Sequence, residues 1–173
     1  MSTEPNETTG FEHERHKPPS ALVRPRELVV AVPPMRSSVN LSRIVRVAGC
    51  FGIGRIVAAG GGKVDKKIAR DGIEHVTIET HRTLAPVLRK LRSEGYRVVG
   101  LEQATGSKLI YEYEFDRKSV LVIGHERHGI TPEELAELDD VIEIPVHGRP
   151  FSHNAATSAA MAIYEYCRQF PTG

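Results

Sequence analysis

The chain predicts an α/β fold in which a mostly parallel sheet is covered by helices on both faces. Three observations carry that expectation. Six short apolar runs recur between residues 27 and 144 and alternate with helix-patterned segments, the order that builds parallel sheets. The 173 residues suffice for one core but would be cramped for two. The composition, 40% hydrophobic and 26% charged, is that of a globular protein.

The elements follow in order. Residues 1–24 mix Pro, Ser, Thr, His and charged residues without hydrophobic periodicity, which predicts a disordered polar tail ahead of one domain over residues 25–173. Glu27–Val32 reads as a strand. Val39–Cys50 places Leu41, Ile44, Val45 and Ala48 on one helical face, with Ser38 or Asn40 available as a cap. Arg55–Ala59 and Val76–Glu79 are strands, and Leu84–Ser93 is a basic helix closed by Gly95. Arg97–Leu101 and Ser119–Ile123 are strands of the buried type. Pro132 opens a short acidic helix to Leu138, and Val141–Ile144 is the sixth strand. From Asn154 to Gln169 a last helix lines up Ala155, Ala159, Ala162 and Tyr166, a small-residue stripe suited to close approach by a sheet or a partner helix.

Several functions are excluded or disfavoured. No apolar run reaches the roughly 20 residues of a membrane span, and the polar first 20 residues lack the apolar core of a secretory signal. Cys50 and Cys167 sit in apolar-periodic segments and read as reduced core residues of a cytoplasmic protein. A net charge of +1 rules against coating nucleic acid by charge alone. Gly60-Gly61-Gly62-Lys63 lacks phosphate-loop spacing, with Val64 where a hydroxyl should stand. His125 and His128 have no distant partner pair, so no metal is expected. No nucleophile elbow or reactive thiol context appears.

Parallel sheets bind ligands at the C-terminal edge of their strands, and three blocks of chemistry-bearing residues fall in that register. The first is Asn40-Leu41-Ser42-Arg43-Ile44-Val45-Arg46. Asn40, Arg43 and Arg46 span about 120° of helix surface, opposite the apolar face. An amide and guanidinium groups near a helix start suit a phosphate or ribose. The second, Gly124-His125-Glu126-Arg127-His128-Gly129, carries one carboxylate between glycines directly after a buried strand. The third runs Ile144-Pro145-Val146-His147-Gly148 to Ser152-His153-Asn154 at the last helix. A cap needs only one of Ser152 and Asn154.

Together the blocks resemble the three motifs of the SPOUT superfamily of RNA methyltransferases, in its SpoU/TrmH branch. These are an N-x-x-x-x-x-R helix, a strand ending G-x-E-x-x-G, and I-P-x-x-G followed by S-x-N and a helix. The likeness covers residues 27 to 169. Leu101-Glu102-Gln103-Ala104-Thr105 with Ser107 resembles the catalytic domain of eukaryotic tRNA guanosine-18 ribose methylases. His153 and the Pro-Met-Arg-Ser-Ser approach to Asn40 depart from the usual pattern.

The resemblance implies a C-terminal trefoil knot on the six-stranded sheet and S-adenosylmethionine bound there by Leu101, Gly124, Ile144 and Ser152. It implies methyl transfer to a ribose 2′-oxygen, with Arg46, Asn40, Glu126, Ser152 and Asn154 as the catalytic set and Glu126 fixing Arg46 or its partner-chain copy. It implies a homodimer formed through the knot and last helix, acting on RNA, with tRNA favoured. Ribosomal RNA, a catalytically silent RNA-binding relative, and a flavodoxin-like small-molecule module are the alternatives. Lys63, Lys66, Lys67, Arg70 and Arg82, Arg89, Lys90, Arg92 are two candidate sets of phosphate contacts.

Overall fold

A computed structural model describes Gly10, residues 13–15 and residues 17–173. Its sheet contains seven strands: β1 (Leu28–Val32), β2 (Arg55–Ala59), β3 (Thr77–His81), β4 (Arg97–Leu101), β5 (Lys108–Leu109), β6 (Ser119–Ile123) and β7 (Asp140–Glu143). They lie in the order β3-β2-β1-β6-β4-β7-β5, and every pairing is parallel. The seventh strand, beyond the six expected, is β5. It is two residues long and pairs with β7 alone, too short to register as an apolar run.

Helices cover both faces. On one side α1 (Ser38–Cys50) and α6 (Ala155–Gln169) pack over Val30, Val32, Ile56, Val99, Leu121 and Ile123. On the other, α4 (Ala85–Ser93) sets Leu88 and Leu91 against Val29, Ala31, Val57, Val98, Val120 and Val122. Successive strand residues thus enter opposite cores, the period-2 geometry of a strand buried on both faces. Three four-residue helices complete the set: α2 (Lys66–Ala69), α3 (Gly72–His75) and α5 (Pro132–Leu135). The first two escape sequence patterning because a single charged turn has no periodicity to read.

Other departures are local. Ser37 caps α1, accepting the Val39 N–H at 3.2 Å, in place of Ser38 or Asn40. Asn40 is buried, not part of an exposed basic face, whereas Arg43 and Arg46 are exposed. The alanine stripe of α6 points inward: Ala159, Ala162 and Tyr166 are buried in this chain's own core. It serves the contact between α6, α1 and the sheet, not a partner helix. Half of the tail expected over residues 1–24 falls on residues outside those described. Near its end the Val23 N–H donates to the Thr172 carbonyl at 2.8 Å. No described helix is long and apolar enough to cross a membrane.

Candidate active site

Because β1, β6, β4 and β7 are adjacent and parallel, their C-terminal ends meet on one edge of the sheet. The segments leaving them carry Asn40, Glu126, Glu102 and Asn154 respectively. All three sequence blocks are therefore delivered to one place, and side-chain hydrogen bonds tie them together.

The tie is a directional chain of groups. Asn154 is the N-cap of α6, and its Oδ1 accepts from the N–H groups of Ala156 and Thr157 at 2.9 and 3.3 Å. Capping settles which end of that amide faces the helix, so its Nδ2 must face outward. It donates to Asn40 Oδ1 at 3.2 Å. Asn40, oriented in turn, donates through Nδ2 to Glu126 Oε1 at 2.9 Å. A helix N-terminus, two amides and a carboxylate thus form one polarised line, with negative charge at the end the helix dipole favours.

Glu126 terminates that line as an anion. Burial pushes its carboxyl upward. Hydrogen bonds from Asn40 and from the backbone N–H groups of Glu126 and Arg36 outweigh burial and hold it below the ordinary carboxylate range. His125, with Nε2 3.8 Å from Glu126 Oε2, adds a smaller pull in the same direction. His125 Nδ1 accepts the Arg127 N–H at 3.0 Å, and its ring stacks on that of His128.

Beside this line lies a cavity of about 260 Å³. Leu101, Ile123, Ile144 and Ala155 furnish apolar wall, and Gly124, Glu126, Ser152 and Glu102 furnish polar and backbone surface. All four expected cofactor-binding residues, Leu101, Gly124, Ile144 and Ser152, line it together. With capping left to Asn154, Ser152 is available on the cavity wall. A more open depression of about 470 Å³ adjoins across Glu126, bounded by Arg36, Ser37, Ser38, Asn40 and Arg127.

Of the expected catalytic set, Asn40, Glu126 and Asn154 are bonded to one another and Ser152 shares the cavity with Glu126. Arg46 stands apart. It is exposed on α1, lines neither hollow, and its Cα lies 3.1 Å from where a Cβ on Gly72 would project. Glu126 bonds to Asn40, not to the Arg46 of its own chain.

Glu102 is a residue that motif spacing did not single out. It lies immediately after β4 among the residues that line the cavity, and its carboxylate accepts from the Gln103 and Ile130 N–H groups at 3.0 and 3.2 Å. An acid directly after a buried strand at the ligand edge is the signal that could have marked it.

The two basic sets part company except at Arg82, which like the first set is exposed and makes no ion pair among the described residues. Arg89 pairs with Glu137 at 2.6 Å, Arg92 with Glu137 and Asp139 at 3.6 and 3.2 Å, and Lys90 with Glu94 at 3.8 Å. Lys63, Lys66, Lys67 and Arg70 are exposed, and among the described residues none of them makes an ion pair. No metal-binding cluster occurs among the described residues.

Comparison with known proteins matches residues 27–164 to the model of the SpoU rRNA Methylase family. A mouse protein, tRNA (guanosine(18)-2'-O)-methyltransferase TARBP1, is 42% identical over 82 residues, 47% of this chain and 5% of that one. The tRNA (guanosine(18)-2'-O)-methyltransferase of Escherichia coli (strain K12) is 28% identical over 149 residues, 84% of this chain and 65% of that one. The crystal structure of the A. aeolicus TrmH/SpoU tRNA modifying enzyme superposes with a TM-score of 0.81 at 25% identity, covering 87% of this chain and 78% of that one. The chain thus spans less than two thirds of either of these two curated relatives.

Proposed function

The chain belongs to the SpoU rRNA methylase family, and we propose that it transfers a methyl group from S-adenosylmethionine to a ribose 2′-oxygen of RNA, with tRNA the favoured substrate. One observation carries the reading: the Asn154–Asn40–Glu126 line joins residues from all three motifs at the wall of a cavity lined by Leu101, Gly124, Ile144 and Ser152. The names of the mouse and E. coli relatives support tRNA over ribosomal RNA.

The cavity fits the cofactor chemically. Its apolar walls suit a purine, and the exposed backbone at Gly124 supplies main-chain hydrogen bonds for specificity. When bound, S-adenosylmethionine supplies an electrophilic methyl on a sulfonium. The chain's own residues do the rest. Leu101, Ile144 and Ser152 bind and orient. Asn40 and Asn154 hold the Glu126 carboxylate at a fixed position between cavity and open depression, where the target nucleotide enters beside Arg36 and Arg127.

A ribose hydroxyl is a poor nucleophile, so the site must align it and stabilise the alkoxide forming as its proton passes to water in the open depression. Arg46 supplies that stabilisation and grips the neighbouring phosphate. A guanidinium stays protonated at working pH, which makes it an electrostatic catalyst in preference to a base. Since Arg46 lies outside its own chain's cavity, we place it at the cavity of a second copy, in a homodimer. Met161 and Tyr164 on the exposed side of α6 support this, with Tyr164 packed edge-on against Phe51 beyond α1. Residues 25–173 then form the catalytic domain, the C-terminal segment passing through a trefoil knot, in a cytoplasmic enzyme.

The test follows tritium from labelled S-adenosylmethionine into unmodified bulk tRNA. Wild type labels tRNA, Arg46→Ala lowers the rate at least 100-fold, and nuclease digestion locates the nucleotide. Labelling of ribosomal RNA alone replaces the substrate. No transfer to either RNA, with no cofactor binding, overturns the enzyme reading.

A further inference from the structure

We propose that Glu102 grips the ribose of the bound cofactor, its carboxylate accepting hydrogen bonds from the vicinal 2′- and 3′-hydroxyls. The inference rests on the cofactor reading above and adds to it a specificity-determining side chain outside the three motifs.

Four observations support it. Glu102 is the first residue beyond β4, at the C-terminal edge of the sheet, and it lines the cavity together with Gly124 and Gly129, the glycines its carboxylate lies against. The carboxylate does not swing freely: Oε1 accepts the Gln103 N–H at 3.0 Å and Oε2 the Ile130 N–H at 3.2 Å. It is also seated against backbone. A Cβ on Gly124 or on Gly129 would come within 2.5 Å of Glu102 Oε2, so both glycines leave room for this carboxylate. Finally, Glu102 forms no ion pair among the described residues, although it is partly buried beside apolar walls.

Such a group lacks donors. An ionised carboxylate accepts through about four lone-pair positions, and two backbone N–H groups leave both oxygens with unused capacity. A ligand filling the cavity displaces the water that serves those positions and must replace it with donors of its own. A vicinal diol offers two O–H donors on adjacent carbons, one for each oxygen, and hydrogen bonds to a charged acceptor are the stronger kind. Because backbone on two loops holds the carboxylate in place, little ordering is needed when the diol arrives.

The experiment is a double-mutant cycle read by calorimetry on the full chain, with no turnover involved. S-adenosylhomocysteine and its 3′-deoxy analogue are titrated into wild type, Glu102→Ala and Glu102→Gln, and each variant's thermal melt is recorded. Loss of the 3′-hydroxyl should weaken binding to wild type about tenfold or more and to Glu102→Ala no more than about twofold, with Glu102→Gln between them. An equal deoxy penalty in wild type and Glu102→Ala overturns the proposal. So does a Glu102→Ala defect that disappears when S-inosylhomocysteine, which lacks the adenine amino group, is the probe. If Glu102→Ala melts early, Glu102→Gln decides alone. Failure of wild type to bind S-adenosylhomocysteine at all overturns the cofactor reading as well, a result distinct from either of the others.

Discussion

The tract beside α1 and the surface of α4 are both rich in cations, yet the structure puts those cations in different electrical situations. On α4, Arg89 and Arg92 converge on Glu137, which is only 8% exposed, and Arg92 also reaches Asp139. Their charge is spent inside the chain, fastening α4 to the residues ahead of β7. Along α1 the arrangement is opposite. Residues 62–72 are laid against it: the Asp65 N–H donates to the buried Ser42 Oγ at 2.8 Å, and a Cβ on Gly49 would sit 2.6 Å from Gly72 Cα. This close approach sets exposed Lys63, Lys66, Lys67 and Arg70 beside exposed Arg43 and Arg46, with no acid paired to any of them among the described residues. Equal composition therefore does not mean equal availability. A cation already held by a buried carboxylate gains little from a phosphate, and an unpaired one releases counterions when it finds one.

Four comparisons between variants can break or sharpen this contrast. The largest effect is expected from Arg46→Ala, which should cost at least 100-fold in methyl transfer, against less than about twofold for Arg89→Ala. Comparable losses in the two variants would end the distinction. Next, Lys66→Ala with Lys67→Ala should weaken RNA binding about tenfold at moderate salt and lower the slope of log K against log salt by about 1.4 to 1.8. Lys90→Ala should leave that slope unchanged.

Stability should respond in the reverse sense. Glu137→Ala removes the carboxylate that Arg89 and Arg92 share and leaves Arg92 paired with Asp139 alone, which should give an earlier thermal melt while RNA affinity holds. The last effect is a pH dependence at Asp140, on the same paired side. Burial raises its carboxyl, but hydrogen bonds from Lys108, Arg97 and Tyr113 outweigh that and hold it below the ordinary range. A depressed folded-state pKa gives stability that is complete above the unfolded value, about 4, and is lost as pH falls through the folded one. Melting temperature should therefore drop below about pH 4 in wild type and drop less in Asp140→Asn.

Much of the fold is legible in the sequence because strands buried on both faces leave unbroken apolar runs. Arg55–Ala59, Arg97–Leu101 and Ser119–Ile123 were expected within the bounds observed. What escapes is too short to have a period, as with β5, α2 and α3, or depends on partners far along the chain. Helix periodicity places Asn40 on a surface with Arg43 and Arg46. Only the arrival of Glu126 and Asn154 buries it and leaves capping to Ser37. The stripe on α6 is visible as small residues, but spacing cannot say whether a neighbouring helix or the chain's own core fills it. Glu102 illustrates the same limit, since its meaning lies in a loop 28 residues away.

The polarised amide line also bears on the order in which the protein is made. Its two hydrogen bonds join residues 86 and 114 positions apart, and its orientation originates at the later end, where Asn154 meets α6. During synthesis the ribosome delivers Asn40 early, and for most of elongation that amide has neither its carboxylate nor its cap-oriented neighbour. Contacts of such long range form late, after the loops between them have closed. A nascent chain stopped short of α6 thus has every strand of the sheet but an amide line without its orienting end, and the pocket is complete only once α6 has docked.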